Sequence, residues 1–212
     1  MIKDSFFVSV EGSDGTGKST IINKVAKSLS TSKKFKGYKI FKTFEPGKTR
    51  TGNRIRKILL DNETVPSPMS EIFLYLADRA DHYEKFIKPI MKDKGNIIIS
   101  DRFFESTFVY QCLTRKVVTF EQFIELHKII LKNFKPDFSI VLNSKFSHGL
   151  KGDRLDLETE DFKKNIKQNY KDLKKYKKFF NYPIHFIDTT KQDWNKYLKI
   201  ILQIFTNNCL QK

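Results

Sequence analysis

Cysteine is scarce: Cys112 and Cys209 are the only two in 212 residues. Two thiols cannot build a disulfide framework, and neither has a partner at zinc-ligand spacing, so a reducing, cytoplasmic setting is expected. No apolar run approaches the roughly 20 residues of a membrane span. The opening MIKDSFFVSVEGSDG has no signal-peptide apolar core, so neither a membrane anchor nor export is expected. Missing too are the dinucleotide fingerprint G-x-G-x-x-G, the HRD and DFG of protein kinases, and a guanine-specifying NKxD. Acidic residues are few, with 24 Asp+Glu against 40 Lys+Arg, a net charge of +16. Within the basic set arginine is the rare member, seven against 33 lysines.

Hydrophobic residues at 39% and aromatics at 14% exclude a disordered chain, and the length suffices for one domain with its own core, expected over residues 1–212. Short apolar runs at 5–11, 38–44, 96–100, 138–142 and 184–187 read as strands. Helical spacing recurs over 18–30, 52–60, 69–91, 105–113, 120–134, 159–180 and 192–205. Asn96–Ser100 and Phe138–Leu142 are apolar throughout, the pattern of strands buried on both faces. Strands alternating with helices of this length predict an α/β fold with a parallel five-stranded sheet flanked by helices.

The clearest chemistry stands between the first strand and the first helix. Gly12-Ser13-Asp14-Gly15-Thr16-Gly17-Lys18-Ser19 satisfies G-x-x-x-x-G-K-[ST], and Thr20 continues it into the helix. The glycines let the backbone curl with its N–H groups inward, the helix N-terminus adds positive potential, and Lys18 reaches the outer phosphates. Ser19 is the expected Mg²⁺ ligand of this ATP-binding loop. With only about 200 further residues, a small-molecule kinase is favoured over a switch or motor ATPase.

Further motifs follow in order. Glu45-Pro46-Gly47 precedes Thr49, Gly52, Ile55-Arg56 and Leu59-Leu60. Leu76-Ala77-Asp78-Arg79-Ala80 precedes His82, and Ser100-Asp101-Arg102-Phe103 precedes Ser106, Tyr110 and Gln111. Gly152-Asp153-Arg154-Leu155 comes before Phe162, and Ile187-Asp188 lies near the end. From residue 5 to about 175 this series resembles the thymidylate kinases, of the bacterial-like type. The resemblance implies a P-loop NTPase fold of the nucleoside monophosphate kinase type, with a lid at about 143–158. It also implies Mg²⁺-dependent transfer of the ATP γ-phosphoryl group to dTMP, small-molecule nucleotides as partners rather than nucleic acid or membrane, and a homodimer.

Roles are carried over on the same terms. Lys18 and Ser19 would hold the ATP phosphates and the metal, with Asp101 meeting Mg²⁺ and its waters. Asp14 would orient the acceptor near its 3′-hydroxyl, and Glu45 and Pro46 would belong to the dTMP site. Arg56 and Arg102 would clamp the dTMP phosphate, a task suited to a guanidinium fork. Arg79 would donate to thymine O4, Thr107 and Gln111 would supply polar contacts, and Tyr110 would crowd a ribose 2′-hydroxyl. Tyr75, one helical turn before Arg79, has two readings, a stacking residue or part of the core stripe with Ile72, Phe73 and Leu76. His82 reads as a hydrogen-bonding helix residue rather than a base.

Departures from the pattern carry expectations of their own. Phe44 replaces an arginine before Glu-Pro-Gly and Lys48 a second glycine, which moves an anion contact to Lys48 or Arg50. Gly15 stands where other members carry a catalytic arginine, so the transition-state cation is expected from the lid, with Arg154 first. A deoxynucleoside kinase or another nucleoside monophosphate kinase is the nearest alternative. A nucleic-acid-binding ATPase is the more distant one, suggested by the charge. Against it, residues 21–50 and 163–178 hold nearly all the positive excess as lysine on helix faces and a surface loop, while six of the seven arginines lie in or beside motifs.

Overall fold

Strand β1 (Phe6–Glu11) is central in the sheet of the computed structural model, which describes residues 4–145 and 158–210. The other strands are β2 (Lys39–Phe44), β3 (Asn96–Asp101), β4 (Phe138–Asn143) and β5 (Ile184–Asp188). All pair in parallel in the order β2-β3-β1-β4-β5, with Phe6 opposite Ile97 and Val8 opposite Phe138.

Alternation along these strands builds two cores. Phe6, Val8 and Val10 join Ile97, Ile99, Ile140 and Leu142 beneath α1 (Lys18–Thr31) and α8 (Trp194–Leu210). Phe7, Ile98 and Val141 face the other way, toward α3 (Pro68–His82), α6 (Phe120–Leu131) and α7 (Glu160–Tyr176). By the same period of two, Ser9 and Glu11 lie on the Phe7 side, which gives that face a polar end at the carboxyl edge of the sheet. In an open α/β sheet that edge is where ligands bind.

Helix ends show the same economy. Thr49, Ser67, Thr119 and Thr159 cap α2 (Arg50–Leu60), α3, α6 and α7 through side-chain oxygens accepting backbone N–H groups. Helix α1 begins at Gly17 (φ 89°) with no side-chain cap, which leaves its first N–H groups for another acceptor. The single helix predicted over 69–91 remains helical but carries a π turn at Tyr83–Ile87 before α4 (Lys88–Lys92). The helix predicted over 105–113 is a short α5 (Phe104–Thr107) running into a π segment, Phe108–Thr114. Residues 146–157, which include most of the expected lid with Lys151, Gly152, Asp153 and Arg154, lie outside the described residues.

Candidate active site

The loop after β1 closes tightly. A Cβ at Gly12 (φ 142°) would come within 2.5 Å of the Leu142 carbonyl oxygen, so the position admits no side chain. Gly17 is covered by the Trp194 indole in the same way. Lys18 Nζ donates to the Gly12 and Ser13 carbonyls, each at 3.0 Å, and lies 3.7 Å from Asp14 Oδ1. Burial, with repulsion from Arg102, brings the Lys18 amine down to about 8. A cavity over this loop is lined by Asp14, Gly15, Thr16, Gly17, Lys18, Ser19 and Thr20, together with Asp101, Ser144, Thr189, Gln192 and Trp194. Gly12 and Ser13 contribute carbonyls to Lys18 rather than lining. Ser19 Oγ donates to Asp101 Oδ2 at 3.1 Å.

A second cavity opens beside it. Asp14, Glu45, Pro46, Arg56, Tyr75, Arg79, Arg102, Thr107, Tyr110 and Gln111 all line it, together with Leu60 and Ser106. Every residue that the sequence assigns to the acceptor site is therefore at one place, although they come from five separate stretches of chain. Tyr75 is half-buried there, not sealed in the core.

Arg102 is held at the junction. It follows β3 in the left-handed region (φ 72°), with its N–H on the Val10 carbonyl at 3.0 Å and its carbonyl accepting from Ser100 Oγ at 2.8 Å. Its Nη2 meets Asp14 Oδ1 at 2.6 Å, and Nη1 donates to Ser106 Oγ at 3.1 Å and Tyr170 Oη at 3.2 Å. That guanidinium holds the Asp14 carboxyl below the usual range, against the opposing effect of burial. Glu11 pins the same loop by accepting from the Phe103 N–H and from Ser106 Oγ. Buried beside Glu105, the Glu11 carboxyl is pushed well up.

Arg79 is 2% exposed and almost fully committed. Nε donates to Glu45 Oε2 at 2.8 Å, Nη1 to Thr107 Oγ1 at 2.9 Å and His127 Nε2 at 2.7 Å, and Nη2 to the Phe103 carbonyl at 2.6 Å. Four of the five guanidinium N–H groups are used, which leaves one on Nη2. His127 Nδ1 donates to the Phe123 carbonyl at 2.8 Å, so its Nε2 is the acceptor. Burial and the neighbouring Arg79 hold this ring well below the usual histidine range. Although burial opposes it, Arg79 and His82 keep Glu45 below the ordinary carboxylate range. His82 lies between Glu45 Oε1 (2.8 Å) and Thr43 Oγ1 (2.6 Å), a structural hydrogen-bonding residue as read from the sequence.

One expectation is not met. Lys48 and Arg50 line neither cavity; Lys48 Nζ stands over the Phe86 ring at 4.7 Å and the Phe44 ring at 5.9 Å, where aromatic faces hold the cation. Phe44 itself lines the cavity over the loop, and neither Lys48 nor Arg50 joins it there. Glu11, Glu71, His127 and Tyr170 were missed by sequence reasoning. The four-residue spacing of Glu71, Tyr75 and Arg79 is the one sequence signal that touches them.

A phosphate loop uncapped at α1, a lysine within it, and an adjoining arginine-lined cavity on a parallel β2-β3-β1-β4-β5 sheet define a P-loop NTPase of the nucleoside monophosphate kinase type. The family model for thymidylate kinase matches residues 10–196, and the chain belongs to that family. Over 203 residues it is 37% identical to the thymidylate kinase of Caldicellulosiruptor saccharolyticus, covering 92% of this chain and 95% of that one. Over 177 residues it is 39% identical to that of Mycoplasma mobile, covering 77% and 81%. The crystal structure of thymidylate kinase from Ehrlichia chaffeensis shares the fold, with a TM-score of 0.74 at 24% identity over 96% of this chain and 99% of that one.

Proposed function

We infer that this chain acts as a thymidylate kinase, moving the γ-phosphoryl group of ATP to dTMP and yielding dTDP and ADP. One observation in the acceptor cavity carries the base assignment. Gln111 Oε1 is buried there without a protein partner, and one N–H of Arg79, on the lining of the same cavity, is uncommitted. An acceptor next to a donor matches the N3–H and O4 of thymine; cytosine presents the reverse. Tyr75 is assigned to stack on the ring, Thr107 to a further polar contact, and Tyr110 to the sugar edge.

Arg102 and Arg56 are assigned to the acceptor phosphate, and Asp14 to the sugar hydroxyl near the seam between the cavities. Arg56 Nη1 rests on the Pro46 carbonyl at 2.9 Å, which fixes its approach. Lys18 and the loop N–H groups receive the ATP phosphates. Such catalysis is positioning and charge neutralisation, which these cations supply without a general base. The oxygens of Ser19 and Asp101, 3.1 Å apart beside Lys18, suit Mg²⁺, which takes few protein ligands when it also binds phosphates. When bound, the ion would neutralise charge on the transferring phosphoryl oxygens. Arg154 is proposed as the lid cation, so R154A should lower kcat strongly while nucleotide binding persists; an unchanged kcat ends that assignment.

The exposed apolar residues Ile58, Met69, Phe73 and Ile129 on α2, α3 and α6 support a homodimer, which sedimentation of the purified protein tests. Both cysteines are buried and free, and no helix of the described residues is long and apolar enough to cross a membrane. A cytoplasmic enzyme is the matching proposal.

A coupled ADP-release assay against dTMP, dUMP, dGMP and thymidine, with DNA and RNA as separate additions, tests the activity. dTMP should be the best acceptor and nucleic acid without effect. No turnover of dTMP would overturn the reading.

A further inference from the structure

Gln111 is fully buried, and its amide is held from one side. Nε2 donates to Glu71 Oε1 at 2.6 Å, while Oε1 is shut from solvent with no protein partner and the residue lines the acceptor cavity. A glutamine is nearly symmetric in shape, so turning the amide over exchanges donor for acceptor at almost no steric cost. The neighbour therefore decides which atom is held and which is turned away from it.

That neighbour is a carboxylate. Glu71 is 1% exposed and outside the cavity lining, two helical turns before Arg79 on the same face of α3. Arg115 Nε donates to the same Glu71 oxygen at 3.2 Å, and Arg115 Nη2 continues to Glu158 Oε1. An ion-paired carboxylate accepts and does not donate, so it draws Nε2 of Gln111 and turns Oε1 the other way.

We propose that Glu71, braced by Arg115, is a positioning residue that sets the polarity of the Gln111 amide and with it the class of base accepted. Pyrimidines carrying an N3–H and an oxygen at position 4 are selected, and 4-amino pyrimidines with an unprotonated N3 are rejected. The inference rests on the placement of the acceptor base against Arg79 and Gln111 made above.

Glu71→Gln keeps the volume and removes the polarity, because an amide can donate or accept. Its KM for dTMP should rise about tenfold, the scale of one buried polar group left mismatched, with KM for ATP unchanged. Discrimination of dTMP from dCMP in kcat/KM should fall by about the same factor, and dUMP should follow dTMP. A folded E71Q enzyme, shown by an unshifted thermal transition, with unaltered base discrimination overturns the inference. Q111L separates the two layers. If Q111L leaves KM for dTMP unchanged, the base placement itself fails; if Q111L raises it and E71Q does not, only the role of Glu71 fails. Should E71Q not fold, the glutamine side-chain ¹⁵N spectrum of the unaltered enzyme decides. The Gln111 NH₂ pair should stay protected with and without dTMP, and a pair that exposes freely or moves onto the nucleotide overturns the proposal.

Discussion

The Arg102 guanidinium and the Asp14 carboxylate meet at 2.6 Å on the seam between the two cavities, and both residues line both cavities. One side chain comes from the loop after β3, the other from the phosphate loop after β1. The pair thus ties together the two cavities, which on the reading above makes it the point where the phosphoryl group would pass. D14N keeps an acceptor oxygen and removes the charge. It should lower kcat/KM for dTMP about ten- to a hundredfold, the range of a charged hydrogen bond, and leave KM for ATP within about twofold. Steady-state ADP release with each substrate varied in turn checks this, and an equal loss toward both substrates would count against the assignment of Asp14 to the acceptor.

Arg102 also sits in a conformation that costs a non-glycine residue roughly 1–2 kcal/mol. The backbone bonds to Val10 and Ser100 and the Phe103 N–H on Glu11 hold it there. Both R102A and R102G lose the guanidinium, but only glycine relieves the backbone. After allowing for the looser unfolded chain of glycine, R102G should be more stable than R102A by roughly 0.5–1 kcal/mol. Urea unfolding of the two variants measures the difference, and R102A as the more stable would deny the strain.

What was legible in the sequence was what is local. The phosphate loop and the five apolar runs follow from spacing over a few residues, and the arginines at 56, 79 and 102 from short motifs that resemble the family's; the structure brings the three arginines to one cavity. The partners of those arginines were not legible, because each contact joins distant stretches. Tyr170 belongs by periodicity to the apolar stripe of α7, and its ring is indeed buried; only the tertiary fold shows its hydroxyl on Arg102, 68 residues away. His127 has no ligand spacing, yet its ring reaches Arg79 across 48 residues because α3 and α6 are neighbours. Lys48 went astray for the converse reason, since the aromatic faces that attract it come from β2 and the π turn after α3.

Asp78 supports the Glu45-Pro46-Gly47 turn by accepting the Gly47 N–H at 2.9 Å, while its other oxygen is buried without a partner. Burial and the nearby Glu45 raise its carboxyl to about 6. Between the ordinary carboxylate value and that one, the folded protein holds a proton that the unfolded chain has released. Stability from this group therefore falls as pH rises from about 4 through about 6 and is level above. Between pH 4.5 and 7 the wild type should lose at most about 2 kcal/mol relative to D78N. Paired urea titrations at the two pH values check the sign, and a wild type that gains stability relative to D78N with rising pH would contradict it.

Lys18 makes the complementary case on the donor side. Burial and Arg102 bring its amine to about 8, and its nearest partners are two backbone carbonyls. Near pH 8 about half the molecules then carry a neutral lysine, and at pH 7 roughly one in ten. A bound polyphosphate favours the charged form, so binding must recruit the missing proton. ATP binding should take up about half a proton per site at pH 8 and about a tenth at pH 7. Binding calorimetry in buffers of different ionisation enthalpy reads this number directly. Uptake that is absent at pH 8 would mean that Lys18 is already fully charged before the nucleotide arrives. The loop would then owe its anion affinity to charge held in place from the start, and not to a proton gained on binding.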